Sequence, residues 1–247
     1  MIYKNRLKFF AGIFFSFFGS SLCSQNLSIP SENYKETYIA FDNLLVMENL
    51  EISSGVEYIE RHRMLNEKHK FFQSFDFQKG TVFYDGQPYF NIDIKYNIVD
   101  DLVLVQFLKN GAQNIIQLYS SKLDGFKLRD RLFVNLSEED GLPAQGIFEV
   151  IFEDSGDKIL KKHLLKEKKI LEKKLLHYEF EADEPEYFFF HRGELREMNI
   201  QNLVNSFPEQ KEEIRKYFRK HRKNLKNDPD SYLINLYQDL IKEGISE

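Results

Sequence analysis

The sequence has no tryptophan and one cysteine, Cys23. A lone cysteine excludes an internal disulfide, and with it a disulfide-stapled scaffold. It also leaves no set of thiolates for a structural zinc site. The glycine-rich phosphate loop, the G-x-S-x-G elbow and the H-E-x-x-H zinc signature are all missing. The leading apolar run, Phe9 to Phe18, falls well short of the ~20 residues that span a bilayer. An excess of positive charge is absent too: 34 Lys and Arg stand against 39 Asp and Glu, a formal −5, which argues against a general nucleic-acid binder.

What is present is aromatic. The 247 residues include 24 Phe and 13 Tyr, and 42% are hydrophobic, enough for a core. Aromatics favour packed sheets, so the composition leans toward β structure.

The amino-terminal end has the three parts of a secretion signal. Lys4, Arg6 and Lys8 form a positive region without acids, the short apolar run follows, and Gly19, Ser20, Ser21 and Ser24 supply small residues. Residues 1–24 are expected to be a cleaved signal peptide, with the mature chain starting at Gln25. Lipidation at Cys23 is the alternative, although Leu22 is larger than the small residue such signals place before their cysteine. Removing residues 1–24 takes away three bases and no acid, leaving 31 against 39, or −8, over 223 residues. The expected location is exported: periplasmic, secreted or outer-membrane associated.

Residues 25–35, with Pro30, Ser31 and Asn33, are expected to be a flexible leader. Residues 36–198 are expected to be a β-rich domain, its first 40 residues mixed in pattern. From Thr81 the signal sharpens. Tyr89, Phe90, Ile92, Ile94, Tyr96 and Ile98 alternate with Asn91, Asp93, Lys95 and Asn97, the period of a half-buried strand. Asp85-Gly86 and Asn110-Gly111 are hairpin turns, and Asp124-Gly125 is a turn or bulge. Strands over 102–108, 114–120, 132–136 and 146–152 complete an antiparallel meander. Residues 159–176 suit a hairpin with a charged tip at Lys166–Lys169, or a helix; flanking strands favour the hairpin. Tyr187 to Phe190, Arg192-Gly193 and Leu195 make a last hairpin.

The tail, 199–245, is helical. Asn199 caps a short helix, and Ser206-Phe207-Pro208-Glu209 has the form of a capping box. Ile214, Tyr217, Phe218 and His221 form one stripe. Asp228-Pro229 opens a further helix that buries Leu233, Leu236, Tyr237, Leu240 and Ile241 and stops near Gly244. The fold class is therefore β-rich α+β: a meander closing into a sandwich or a curled, half-open barrel sheet, with a two- to three-helix tail.

Candidate chemistry is sparse. His163 and His177 would face each other if 159–166 pairs with 171–178, and Asp183 or Glu179 would complete a metal site; surface histidines are the plainer reading. Asp100-Asp101, Glu138-Glu139-Asp140, Glu153, Asp154 and Asp157, and Asp183-Glu184-Glu186 are acidic clusters in turns, where solvated polar residues belong. Two such carboxylates in a cleft would make a glycosidase-like hydrolase. Arg215, Lys216, Arg219, Lys220, Arg222, Lys223 and Lys226, with Lys161–Lys174, give a basic half suited to anionic headgroups, acidic polysaccharide or an acidic partner, or to a solvated face. Phe71-Phe72, Phe75, Phe77 and Phe188–Phe190 suit core packing or an apolar ligand pocket. No residue is assigned a catalytic, cofactor-binding or metal-binding role, and no cofactor is expected.

The run Gly80 to Tyr89, then Asp93 to Tyr96, and the tail residues Phe207-Pro208, Lys211, Ile214 and Asp228-Pro229 resemble uncharacterised exported proteins of the Bacteroidota. The resemblance covers most of residues 55–240. It implies an envelope location and no activity. The expected function is a non-enzymatic exported protein that binds a protein partner, a glycan or an apolar ligand. A hydrolase and a structural accessory of an outer-membrane assembly are the alternatives.

Overall fold

The computed structural model describes residues 35–40, 50–64, 67–109, 111–136 and 143–244. The expected signal peptide over 1–24, most of the expected leader over 25–35, Cys23, Asn110 and the Glu138-Glu139-Asp140 cluster lie outside them. Residues 35–40 form a short helix, α1.

The main sheet is antiparallel throughout. Its strands are β1 (Val56–Glu57), β2 (Gln78–Tyr84), β3 (Gln87–Asn97), β4 (Leu102–Lys109), β5 (Ala112–Gln117), β6 (Leu123–Leu128), β7 (Arg131–Leu136), β8 (Gly146–Asp154), β9 (Asp157–Lys162), β12 (Glu186–His191) and β13 (Glu194–Glu197). Between β9 and β12 the chain leaves the sheet as a separate two-stranded ribbon, β10 (Leu165–Glu172) and β11 (Leu175–Ala182). The order across the sheet is β1-β5-β4-β3-β2-β6-β7-β8-β9-β12-β13, and it does not close.

Turn chemistry sets the meander. Asp85-Gly86, Ser155-Gly156 and Arg192-Gly193 each supply two successive residues of positive φ, the requirement of a two-residue hairpin turn. Within β3, Asn91 takes φ 57° and shifts the register, so that Tyr89 and then Ile92, Ile94 and Tyr96 all reach the core. Asp124 sits at the irregularity where β6 meets β2, and its carboxylate accepts a hydrogen bond from the Gly86 amide at 2.9 Å. The strand expected over 114–120 ends at Gln117, because Ser120–Lys122 tightens into a 3₁₀ turn.

The sheet curls strongly. β3 and β8 are four strand steps apart, ~19 Å in a flat sheet. Yet Asp101, in the β3–β4 turn, accepts a hydrogen bond from the Ile147 amide at 3.1 Å and one from Tyr96 Oη at 2.9 Å. Inside the curl Phe126 stacks on Phe133 with centroids 4.6 Å apart, and Tyr96 and Phe72 pack around them. Gly146 makes this close approach possible. Its φ is +100°, and a Cβ there would lie 1.9 Å from the Asp101 carboxylate.

The tail has four α-segments, one more than the upper expectation: α2 (Ile200–Ser206), α3 (Lys211–Lys220), α4 (Arg222–Asn227) and α5 (Pro229–Gly244). Asn199 caps α2 by accepting from the Asn202 amide, and Asp228 caps α5 by accepting from the Ser231 amide. The capping box expected at Ser206 does not form. Ser206 is the last residue of α2, and Arg196 donates to its hydroxyl instead. Leu203, Phe207, Ile214, Leu236, Tyr237, Leu240 and Ile241 pack with Ile159 and Phe189 of the sheet in a second core. Val134, Phe148, Leu160 and Leu195 form a third, smaller cluster.

Candidate functional site

Between the first two cores runs a polar seam. The ladder register places Phe133, Glu149, Lys161 and Tyr187 in one row across β7, β8, β9 and β12. Phe133 belongs to the first core. Next to it Glu149 is buried, with 4% of its surface exposed. Arg131 Nη1 donates to one Glu149 oxygen, and His163 Nε2 lies 2.6 Å from the other. Burial acts to raise the Glu149 carboxyl, but the hydrogen bond and charge of His163 and the charge of Arg131 outweigh it and hold it below the ordinary glutamate value. Further along, Lys161 Nζ donates to both oxygens of Asp230 at 2.9 and 2.7 Å, and Tyr187 Oη donates to the same carboxylate. Asp230 also stays below its ordinary value: burial opposes this, and Lys161 and Tyr187 prevail. Burial, then Asp230, push the Tyr187 hydroxyl far above its usual range. Asp230 stands in the first turn of α5, so the seam fastens helix to sheet.

A second network surrounds Lys70, which is 2% exposed. Its ammonium meets His62 Nδ1 at 2.9 Å, Asp100 at 3.1 Å and Glu60 at 3.2 Å. Tyr58 donates to Glu60, and Asn97 donates to Asp100. Burial acts to raise both carboxyls, and these hydrogen bonds with Lys70 bring both below their ordinary values.

These networks organise structure. A hydrolase's acid and base need carboxyls pushed apart, one held up as a proton donor. Glu60, Asp100, Glu149 and Asp230 are all held down by their partners, so none of these four serves as the raised proton donor of such a pair. His191 pairs through Nδ1 with Asp157 at 3.0 Å, but its ring packs on Phe207 and Tyr237 and its buried Nε2 meets no hydrogen-bond partner among the described residues.

The expected histidine pair is not assembled. The ribbon register joins Ile170 to His177, while His163 precedes β10 and turns to Glu149. Asp183 is engaged by Lys166, and Glu179 by Lys68. Among the described residues no group of three His, Cys, Asp or Glu is placed to hold a metal. Asp100 and Asp101 do more than solvate a turn: one anchors Lys70 and the other closes the curl. Phe71, Phe75 and Phe77 surround the Lys95 ammonium, with ring centroids 4.5, 4.7 and 4.4 Å away. Phe189 is in the second core and Phe188 borders the third. Sequence reasoning missed Lys70, Arg131, Glu149, Tyr187 and Asp230; the one available signal was Glu149, a single acid within the apolar strand Gly146–Phe152.

Among the described residues apolar groups are exposed in several places, Ile59 and Leu108 among them, and in the ribbon β10–β11 three exposed leucines lie together. Alternation puts Leu171, Leu176, Tyr178 and Phe180 on one face. Phe180 is 4% exposed and stacks with Tyr178 beside His62. Toward the tip the cover ends, and Leu171 is 75% exposed, Leu175 49% and Leu176 43%. The tip is Lys173-Lys174, not Lys166–Lys169 as the sequence suggested. Comparison with protein-family models, curated sequences and solved structures finds no match to this chain.

Proposed function

We propose that this chain is a non-enzymatic exported protein of the cell envelope, which binds its target through the β10–β11 ribbon. The observation that carries the reading is the apolar stripe that leaves the fold at Phe180 and runs to Leu171 in solvent. A soluble domain rarely exposes neighbouring leucines without a contact to make. The basic residues Lys4, Arg6 and Lys8 and the apolar run after them support export, and the pairing of Glu60, Asp100, Glu149 and Asp230 with Lys70, Arg131, His163 and Lys161 supports binding over catalysis.

The test is fractionation of native cells carrying the wild-type chain or Leu171→Asp/Leu176→Asp. Both positions are exposed, so the variant is expected to fold. The wild type should be recovered with the envelope and the variant in the soluble fraction. Identical distribution of the two would refute a binding role for the ribbon.

A further inference from the structure

The composition of the ribbon tip identifies the class of surface it meets. Lys173 and Lys174 form the two-residue turn, with φ 49° and 68°. The three other two-residue turns described above place glycine at the second of these positions. Left-handed φ disfavours a residue with a Cβ, so both lysines are held where Asn-Gly would sit more easily. Lys168 adds a further charge. Over the whole ribbon, Leu165–Ala182, five lysines face four glutamates, a net +1 on a chain whose total is negative, and the two glutamates nearest its base, Glu179 and Glu181, are engaged by Lys68. Lys166 and Lys169 are engaged by Asp183 and Glu167, while Lys168, Lys173 and Lys174 have no ion pair among the described residues.

Leucine and lysine together are a poor protein-binding surface. The residues that dominate protein interfaces are Trp, Tyr and Arg, with Lys depleted and Leu under-represented. The tip has none of the three favoured types. Leucines that enter the headgroup region beside lysines that reach back to lipid phosphates are the combination of interfacial membrane segments. The reach fits as well. Counting from Phe180, the ribbon extends roughly 20 Å, and residues 171–176 cover the ~5–10 Å depth of the interface.

We infer that the tip of β10–β11, through Leu171 and Leu176 on one face, Leu175 on the other and the Lys173-Lys174 turn between the strands, inserts end-on and shallowly into an anionic lipid bilayer surface. The inference rests on the binding role of the ribbon and adds the chemistry of its target.

Because the sequence contains no tryptophan, Leu175→Trp provides a single reporter. Its emission should shift to the blue with vesicles of phosphatidylglycerol and phosphatidylcholine, and stay unchanged with phosphatidylcholine alone. In co-sedimentation at fixed salt, Lys173→Gln/Lys174→Gln should weaken binding about thirty-fold. Leu171→Ser/Leu176→Ser should weaken it at least about tenfold. Circular dichroism confirms that each variant is folded. Absence of a shift with anionic vesicles, or binding that survives both double replacements, overturns the lipid assignment. If the shift is absent but Leu171→Asp/Leu176→Asp still leaves the envelope fraction, the binding role stands and the target is a protein. If that variant is also unmoved in fractionation, both readings fall.

Discussion

Glu149 shows how a residue that looks like a catalytic acid serves the fold instead. It is buried beside an arginine and a histidine, in a row that passes from one apolar core toward the other. Its charge is satisfied from two sides, so losing the carboxylate leaves the half-buried His163 without its partner, while Arg131, 41% exposed, can turn to solvent. Leaving a buried site unsatisfied in this way costs about 1–3 kcal/mol. Glu149→Ala is therefore expected to lower unfolding stability by that amount in urea titration, while leaving lipid and envelope binding of the remaining folded protein unchanged. A loss of binding at full stability would instead make Glu149 part of the functional surface.

Among the elements, the ribbon carries the sharpest local conflict between sequence and backbone. Replacing Lys173-Lys174 by Asn-Gly should relieve its left-handed turn. It is expected to raise stability by about 1 kcal/mol, read as a higher Tm, and to weaken anionic-vesicle binding as the double glutamine variant does. The meander was legible because period-two patterning and the Asp-Gly, Ser-Gly and Arg-Gly turns are local signals. Asn91 was not legible as a kink, since its side chain alternates as a solvent-facing residue should. The departure of β10–β11 from the main sheet was hidden for another reason: local pattern reveals a strand but not its partner, and here β9 pairs with β12 across the excursion. Ser206 had the spacing of a capping box, but a hydroxyl accepts from whichever donor is nearer, and Arg196 arrives from β13. The polar seam was the least legible part. Lys161 and Asp230 are 69 residues apart; Lys161 reads as part of a solvated basic run, and nothing local marks Asp230 as its partner.

At the scale of the molecule, the paired carboxylates, of which Glu149 is buried and the others partly exposed, make stability depend on acid. Glu60, Asp100, Glu149 and Asp230 all have carboxyls held below their ordinary values of 4.5 for Glu and 3.8 for Asp. A carboxyl lowered in the folded state contributes stability that is fully present above its unfolded value and lost as pH falls through the folded one. Thermal melts should therefore be nearly level from pH 7 to about 5 as far as these groups are concerned, then fall steeply below about 4. Glu149→Ala should flatten the acid limb. An unchanged limb in that variant would mean that other carboxylates carry the acid sensitivity.

The pairing of β2 with β6 has a consequence for how the chain matures. Most ladders of the main sheet join strands that follow one another closely, but Gly80 pairs with Leu128. Until Leu123–Leu128 arrives, β2 has β3 on one side and an open edge on the other, and its residues include Val82 and Phe83. An unpaired apolar edge is a template for pairing with another chain. Between the appearance of residue 84 and residue 128 the nascent protein thus presents an open apolar edge, and the β2–β6 ladder is what covers it.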